Sequence, residues 1–373
     1  MFQIISEDGN ARTGVLKTAH GTIQTPSFKA VATKAAVKNV TTSELTKIGQ
    51  EVIISNAFLL YLRPGLRLIE QHKGLHGFMQ WDKSIFTDCG GFQVLSLEQD
   101  FHLNTNDEGI EFRSPFDGQK HFLTPEKSVE IHHRLGSDVA MALDHMPLYG
   151  CTYEQAKEAT LRTHNWMQQC KAHHEKLKQQ GSKQLLFGIA QGSVYPDLRA
   201  ESTRIINRMN FDGIAFGGLA VGEPKEKTYE MIKISCQNSQ RELPRYAMGV
   251  GNPVDLINCI SCGVDMFDSV FPTRNARHGH IFTSDGPINI RNAPYREDMT
   301  SLDNDCKCAV CQKYTRAYIH HLYRTGEKLG HQLTSYHNLA FIQDLMQNIR
   351  ESIKANTFQE FKTKFLRRYQ NET

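Results

Sequence analysis

The chain has 373 residues, of which 39% are hydrophobic and 22% are charged, and its formal net charge is +3. This is ordinary globular composition, which excludes a disordered or fibrous protein and indicates one large core. No apolar run approaches the roughly 18 residues that a membrane span needs. The N-terminal residues lack the basic start and apolar stretch of a secretory signal. We therefore expect a cytoplasmic protein without a membrane span.

In chain order, residues 1–24 have the pattern of turns and short antiparallel strands, which we interpret as a cap. Short apolar runs that end in a polar residue or a glycine then recur at 51–56, 84–88, 138–144, 185–191, 213–218, 245–250 and 265–268. Between most of them lie stretches with helical periodicity, such as 152–180 and 224–238. Continuous apolar strands that alternate with helices predict a parallel sheet covered on both faces.

Two architectures fit this alternation, a doubly wound open sheet and a closed eight-stranded barrel. Polar residues end at least five of the strands, whereas an open sheet usually concentrates its site at one switch point. No Gly-x-Gly-x-x-Gly follows the first strand, so the dinucleotide-binding fingerprint is absent. The sequence therefore favours an α/β fold built on a (β/α)8 TIM-type barrel.

The cysteines divide into two groups. Six of the nine are scattered and have the spacing of reduced thiols rather than of a disulfide framework: Cys89, Cys151, Cys170, Cys236, Cys259 and Cys262. Cys306, Cys308 and Cys311 lie within six residues, which predicts one structural Zn²⁺ site in a C-terminal insertion. Candidates for the fourth ligand are His320, His321, His331 and His337. We favour His337, because it begins the amphipathic run 338–349 and a histidine that leads a helix can reach a preceding loop.

The basic charge is concentrated at the C-terminal end. From Cys306 onward there are eleven Lys and Arg against five Asp and Glu, a net charge of +6, whereas the rest of the chain has 32 against 35 and carries −3. This asymmetry suits a nucleic-acid partner, and it equally suits a basic helix surface that only faces water. We expect a single catalytic barrel domain over 1–373, with a zinc-binding subdomain at about 300–345 and a basic C-terminal helix at about 346–373.

Three aspartates follow apolar runs and are candidates for chemistry: Asp88, Asp144 and Asp268. Cleavage of a glycosidic bond needs two carboxyl groups, one at the anomeric carbon and one for the leaving group. An aspartate after a strand can instead cap the next helix, so each aspartate alone is ambiguous.

Glycine pairs and a glutamine mark a second candidate site. Gly217 and Gly218 end one predicted strand, and Gln191 ends the preceding one. Paired glycines let a flat ligand approach the backbone, and a glutamine amide offers both a donor and an acceptor to a purine edge. Glycine-rich turns without a ligand are also common.

Several long motifs in one order resemble the signature segments of the tRNA-guanine transglycosylase family, bacterial type. They lie at 88–94, 187–192, 217–223 and 267–274, and the cysteine cluster with His337 follows. The resemblance extends from about Gly14 to about Arg350. It implies a glycosyltransferase (pentosyltransferase) that exchanges the wobble guanine of G-U-N anticodon tRNAs for a 7-deazaguanine in queuosine modification. It also implies a covalent enzyme–RNA intermediate, a homodimer and a zinc ion that takes no part in bond breaking.

The resemblance also assigns roles to individual residues. Asp268 would be the nucleophile and Asp88 the general acid and base. The incoming or outgoing base would be held at its edge by Asp144, Gln191 and Gly218, at its faces by Phe92 and Met248, and through the backbone by Leu219 and Ala220. Arg274 and Arg277 would bind the anticodon loop. The basic C-terminal residues Lys362, Lys364, Arg367 and Arg368 could contact the tRNA backbone.

Departures from the family pattern bear on the substrate. Asp144-His145-Met146-Pro147 stands where bacterial members usually have Asp-Glu-Cys-Thr-Pro, Asn56-Ala57-Phe58-Leu59-Leu60 replaces Asn-Thr-Tyr-His-Leu, and Cys89 replaces a common Ser. Val221 matches the bacterial members. This favours the aminomethyl precursor preQ1 as incoming base and leaves queuine open. The rival hypotheses are a noncatalytic RNA-binding partner subunit, an archaeal D-loop enzyme, and a barrel hydrolase that uses the metal.

Overall fold

The computed structural model describes residues 2–90 and 104–370. The strands are β1 (Phe2–Asp8), β2 (Ala11–Thr18), β3 (Gly21–Thr25), β4 (Ser27–Val31), β5 (Val52–Asn56), β6 (Ser84–Asp88), β7 (Asn104–Asn106), β8 (Gly109–Arg113), β9 (Lys120–Leu123), β10 (Val139–Met141), β11 (Leu185–Ala190), β12 (Gly213–Phe216), β13 (Arg245–Ala247), β14 (Met266–Ser269), β15 (His280–Ile281) and β16 (Ile288–Asn289).

The helices are α1 (Thr42–Lys47), α2 (Ala57–Leu62), α3 (Leu66–Gln71), α4 (Leu75–Met79), α5 (Pro125–Leu135), α6 (Tyr153–Gln179), α7 (Pro196–Arg208), α8 (Lys225–Asn238), α9 (Pro253–Ser261), α10 (Phe271–Arg277), α11 (Arg316–Thr325), α12 (Lys328–Lys354) and α13 (Phe358–Tyr369), with a 3₁₀ turn at Ala293–Arg296. The helical stretch predicted at 152–180 is α6, which begins at a capping box between Thr152 and Gln155. Within residues 2–90 and 104–370, no helix combines the length and the apolar character needed to span a bilayer.

Eight parallel strands close into a barrel in the order β4-β5-β6-β10-β11-β12-β13-β14, and β14 pairs with β4. The predicted TIM-type α/β barrel is therefore confirmed. Aromatic rings from different strands pack in its interior: the centroid of Phe86 lies 5.5 Å from that of Phe187 and 6.1 Å from that of Tyr246. Because the interior is packed, the open space for chemistry lies at the ends of the strands.

The first barrel strand, β4, was absent from the predicted apolar runs. Its sequence is Ser27-Phe28-Lys29-Ala30-Val31, so a lysine interrupts the apolar pattern at its centre. The Lys29 side chain is fully buried. The antiparallel strands β7, β8 and β9 were not predicted either. They form a small separate sheet between β6 and α5 in the chain.

The N-terminal cap, β1 to β3, is an antiparallel sheet fastened to the amino-terminal end of the barrel. The guanidinium of Arg12 donates to both carboxylate oxygens of Asp265, at 2.9 and 2.6 Å, and to the carbonyl of Leu243 at 2.7 Å. Both partners are buried, and Asp265 immediately precedes β14. Burial raises the pKa of Asp265, although Arg12 and the N–H of Arg245 act in the opposite direction.

A second buried carboxylate, Asp138, closes the same end of the barrel just before β10. It accepts hydrogen bonds from the His20 and His76 rings at 2.8 and 3.1 Å and from the backbone N–H of Ile85 at 2.8 Å. Burial alone would raise the pKa of Asp138, but these donors outweigh it and the pKa is lowered. Asp138 therefore joins the cap, α4 and β6 in one polar cluster.

The C-terminal helices pack on the outside of the barrel. Helix α12 contacts β1, β2, β4 and α10, and α13 follows it after a short turn. The boundary expected between residues 345 and 346 falls inside α12. The division into a zinc-binding subdomain and a basic helix stays a prediction.

Candidate active site and metal centre

Asp268 lies on β14 at the carboxyl end of the barrel and is held from one side. Its Oδ1 accepts a hydrogen bond from the hydroxyl of Tyr246 at 2.5 Å and another from the N–H of Gly249 at 3.0 Å. Its other oxygen has no hydrogen-bond partner among the described residues. The carboxylate is therefore oriented through one of its oxygens.

Asp88 ends β6 and lies in register with Asn56 at the end of β5. Tyr246 lies between the two carboxyl groups electrostatically, because both act on its hydroxyl. Burial raises the pKa of this hydroxyl well above its usual value, and the negative charges of Asp268 and then of Asp88 raise it further. Tyr246 is therefore close to both carboxyl groups and stays protonated, so it donates to Asp268. The structure thus brings the two predicted catalytic carboxyls to the same end of the barrel.

Asp144 and Gln191 form a buried polar pair beside these carboxyls. The side-chain amide of Gln191 donates to Asp144 Oδ2 at 2.6 Å, and the thiol of Cys89 donates to Oδ1 at 3.2 Å. Burial raises the pKa of Asp144 in spite of these two donors. The Oε1 atom of Gln191 is buried and has no partner among the described residues. A ligand that supplied further donors would satisfy both groups.

The glycine pair lies directly against Gln191. A Cβ on Gly217 would lie 2.5 Å from Gln191 Nε2, and a Cβ on Gly218 would lie 2.4 Å from Oε1. Gly218 also has φ +69, which disfavours other residues. The glycines are therefore required by close packing as well as by the turn.

Two charged residues that the sequence did not single out hold the loops of this site. The buried guanidinium of Arg199 donates to the carbonyls of Ala190, Gly217 and Ser193 at 2.9, 3.0 and 2.9 Å. The carboxylate of Glu223 accepts from the N–H groups of Ala220 and Val221, at 2.5 and 3.0 Å. The loops after β11 and β12 are thus held by charged hydrogen bonds. Those of Arg199 extend over as many as 18 residues of the chain, whereas those of Glu223 lie within its own turn.

The remaining predicted base contacts lie around this pair. Leu219 is buried, Ala220 is exposed, and Met248 is half-buried after β13. Met146 fills space near Gly218, since its Cγ lies 3.4 Å from the position of a Cβ there. Phe92, which was predicted to sandwich the base, lies outside the described residues.

Arg274 and Arg277 lie on α10, which begins two residues after β14. Arg274 is exposed, and Arg277 is half-buried and donates to the carbonyl of Thr273 at 2.9 Å. Partial burial, and then the charge of Arg274, lower the pKa of Arg277. The two cations lie on the helix that follows the strand of Asp268 and repel each other, which suits an anionic ligand.

The basic residues near the C-terminus are not equivalent. Arg368 is engaged in ion pairs with Asp285 and Asp305, each at 2.7 Å. Lys362 donates to the hydroxyl of Ser261 at 2.8 Å. Lys364 and Arg367 are exposed. Only part of the predicted basic surface is therefore available to a ligand.

The predicted metal ligands converge. His337 Nδ1 lies 3.8, 3.6 and 3.3 Å from the sulfurs of Cys306, Cys308 and Cys311, and all four ligand atoms lie within 4.8 Å of one another. A tetrahedral ion with thiolate and imidazole ligands separates such atoms by roughly 3.5 Å, so the donor set fits a metal. His337 Nε2 donates to the carbonyl of Phe282 at 2.8 Å, which leaves Nδ1 to the thiols.

The prediction that His337 leads a helix was wrong. Helix α12 begins at Lys328, and His337 lies buried within it. The histidine reaches the cysteines because its helix face turns towards the loop that precedes α11. The described residues contain a second group of possible ligands, His20, His76 and Asp138, at the opposite end of the barrel.

The family is decided by comparison over nearly the whole chain. A family model described as queuine tRNA-ribosyltransferase matches residues 7–371. The chain belongs to this family. Members of the queuine tRNA-ribosyltransferase family are tRNA-guanine transglycosylases, a class of pentosyltransferase, so the predicted enzyme class is confirmed.

Bacterial relatives align with the chain from end to end. Queuine tRNA-ribosyltransferases from Halothermothrix orenii and Fusobacterium nucleatum are 48% and 47% identical over 373 residues, which is 100% of this chain and 98% of each relative. The one from Thermoanaerobacter sp. is 46% identical over 370 residues, 99% of this chain and 97% of the relative. The predicted bacterial-type membership of the queuine tRNA-ribosyltransferase family is therefore confirmed.

Proposed function

We propose that this protein exchanges the wobble guanine of G-U-N anticodon tRNAs for a 7-deazaguanine through a covalent enzyme–RNA intermediate. The observation that carries this proposal is the Asp268 carboxylate, of which one oxygen is held by two donors and the other is without a partner among the described residues. An oriented carboxylate at a barrel mouth, with a second carboxyl nearby, has the parts that glycosyl transfer requires.

In the first step, Oδ2 of Asp268 attacks C1′ of the ribose. The C1′–N9 bond breaks, its electron pair goes to the guanine, and Asp88 as general acid supplies the proton to the leaving base. An ester between Asp268 and C1′ results. Tyr246 and Gly249 keep their hydrogen bonds to the other oxygen, so the attacking oxygen is presented in one direction.

In the second step, Asp88, now a carboxylate, removes the N9 proton of the incoming base. The N9 atom attacks C1′, and the ester electrons return to Asp268. The same two carboxyls thus serve both directions, as microscopic reversibility requires.

Asp144 and Gln191 would select the base by its polar edge. Guanine and 7-deazaguanines carry two adjacent donors, N1–H and the 2-amino group, which match the two acceptor oxygens of the Asp144 carboxylate. The amide of Gln191 and the backbone at Gly218 to Ala220 would complete the contacts, and Met248 would cover one face. The Oε1 atom of Gln191, for which residues 2–90 and 104–370 provide no hydrogen-bond partner, is available to such a ligand.

We favour preQ1 as the incoming base, with queuine as the alternative. Val221 has the bacterial identity, and its N–H is tied to Glu223, which fixes the loop next to the base. His145, next to Asp144, contacts Arg162, its Nδ1 lying 3.1 Å from Nη1, and Arg162 is itself paired with Asp107 at 2.9 Å. A loop held in this way next to the base suits the smaller base. Competition of preQ1 and queuine against labelled guanine distinguishes them.

The tRNA would be bound through its phosphates by Arg274 and Arg277 on the helix after β14, and by exposed basic residues of α13. Single-stranded anticodon loops let a base be turned out into a pocket, which the barrel mouth requires.

We assign zinc to Cys306, Cys308, Cys311 and His337, because three thiolates and one imidazole are the ligands that zinc prefers. Four protein ligands leave no open position, so the ion would be structural and would hold the loop before α11 against α12. A homodimer, which light scattering tests, and a cytoplasmic location both stay predictions.

The test is incorporation of radiolabelled guanine into an unmodified tRNA with a G-U-N anticodon. Wild type and an Asp285→Asn control, which removes an exposed carboxylate outside the site, should incorporate the label, and Asp268→Asn should not. No incorporation by folded, metal-loaded wild type would favour the noncatalytic RNA-binding subunit instead.

A further inference from the structure

A lysine lies inside the barrel, one strand away from the proposed nucleophile. Lys29 is in the middle of β4, its side chain is fully buried, and its Nζ has no hydrogen-bond partner among the described residues. A buried ammonium is expensive unless other charges or ring electrons stabilise it. Lys29 takes no part in the two steps of the proposed base exchange.

Two rings surround the amine. Nζ lies 3.4 Å from the ring centroid of Tyr246 on β13 and 4.5 Å from that of Phe86 on β6. Both rings can stabilise a cation through their faces. The amine therefore sits over the same tyrosine whose hydroxyl donates to Asp268.

The β-ladder places Lys29 and Asp268 side by side. They are direct register partners on the adjacent parallel strands β4 and β14, so both side chains project from the same face of the barrel wall. The charged group that acts on the amine is Asp268 on β14, and Tyr246 on β13 presents its ring to it. Asp88 and Cys89, at the end of β6, act on the Tyr246 hydroxyl, and β5 contributes no titratable residue. Burial lowers the pKa of Lys29 to about 7, and the negative charge of Asp268 acts against this lowering.

We propose that Lys29 is a positioning residue whose positive charge favours the free Asp268 carboxylate over its ester with the ribose. The proposal rests on the assignment of Asp268 as nucleophile. When the ester forms, Asp268 loses its negative charge and Lys29 loses its counter-charge. When the ester breaks, the electron pair returns to Asp268 and the ammonium stabilises the charge that develops.

This arrangement gives Lys29 opposite effects on the two half-reactions. The ammonium opposes ester formation and assists ester breakdown, so it prevents the enzyme from accumulating as a covalent adduct with tRNA. A lysine that only filled space would influence both half-reactions in the same direction. The difference can be measured.

The pKa of Lys29 in the free enzyme and in the ester determines how adduct formation depends on pH. In the free enzyme Lys29 is protonated below about pH 7, and the ester lowers its proton affinity because the Asp268 charge is gone. Adduct formation by wild type therefore releases a proton and becomes more favourable as the pH rises towards about 7. Above that, Lys29 is neutral in both states and its influence disappears.

The experiment measures the equilibrium constant for the adduct, from the fraction of enzyme linked to tRNA on a denaturing gel as free guanine is varied. Lys29→Met removes the charge at nearly constant length, Lys29→Gln is a second neutral variant in case the first does not fold, and Lys17→Met is the control at an exposed lysine of β2. At about pH 5.5, the adduct equilibrium constant of Lys29→Met should be about tenfold larger than that of wild type, a ratio that corresponds to ~1.4 kcal/mol. At about pH 8.5, the two constants should agree within about twofold. Lys17→Met should match wild type throughout.

A ratio that does not change with pH in either neutral variant, whatever its size, would overturn the proposal for Lys29. So would equal slowing of ester formation and breakdown. Asp268→Asn in the same assay separates the two hypotheses: an adduct in that variant contradicts the nucleophile assignment, whereas its absence, together with a flat ratio, contradicts only the role of Lys29.

Discussion

Removing the guanidinium that fastens the cap to the barrel should destabilise the whole protein. In Arg12→Met, Asp265 loses two charged hydrogen bonds, of 2.9 and 2.6 Å, while it stays fully buried, and the carbonyl of Leu243 loses a donor at 2.7 Å. An uncompensated buried charge of this kind typically costs about 3–5 kcal/mol. We expect a loss of this size in the free energy of unfolding, measured by urea denaturation at neutral pH.

The double variant Arg12→Met, Asp265→Asn identifies the cause. It removes the isolated charge but keeps an acceptor for the N–H of Arg245, which donates to Asp265 at 2.7 Å. We therefore expect it to be more stable than Arg12→Met alone. Arg241→Met is the matched control, because the ion pair of Arg241 with Glu7 is exposed and should contribute little. A loss below about 1 kcal/mol in Arg12→Met, or no recovery in the double variant, would refute this reasoning.

The other perturbations concern the metal, acid stability and tRNA binding. Cys308→Ala should lose bound metal in an elemental assay and lower the thermal midpoint, whereas Cys259→Ala, in the core of α9, should keep its metal. A Cys308 variant that stayed folded and lost only turnover would contradict a structural ion. The lowered pKa of Asp138 adds stability above pH 3.8 that is lost as the pH falls further, so Asp138→Asn should be the less stable protein at about pH 6 and should converge with wild type in acid. A gap in urea midpoint that is constant with pH would be incompatible with this. Reversing the charges of Lys364 and Arg367 should reduce the slope of log affinity for tRNA against log salt by about 1 to 2, and an unchanged slope would exclude contacts by α13.

Local patterns were sufficient to predict the barrel and to point to the ends of its strands. Apolar runs that end in Asp88, Gln191 or Asp268 are visible in the sequence because a parallel strand buried on both faces is continuously apolar until it reaches the mouth. Strand β4 escaped the same pattern because Lys29 lies at its centre. The charge of that lysine is balanced by partners on other strands, which a local pattern does not show.

Long-range contacts account for the rest of what the sequence did not reveal. Tyr246 bonds to Asp268 and Arg199 to the carbonyl of Gly217, across 22 and 18 residues. His337 lies beside the three cysteines, but not at the start of a helix as expected, because the start of α12 at Lys328 was not recognised. Glu223 is the last residue of a recognised motif, but its role in holding the backbone of that motif depends on the turn geometry at Ala220, where φ is +57.

The most direct measurement is to identify the residue that carries the RNA. The adduct formed with tRNA in the absence of an incoming base would be denatured, digested with nuclease and protease, and analysed by tandem mass spectrometry. A ribose-derived mass on the Asp268 side chain is the predicted result, and it should be absent from Asp268→Asn. The same mass on Asp88, or no covalent adduct in an enzyme that exchanges guanine, would contradict the assignment of Asp268 as the nucleophile.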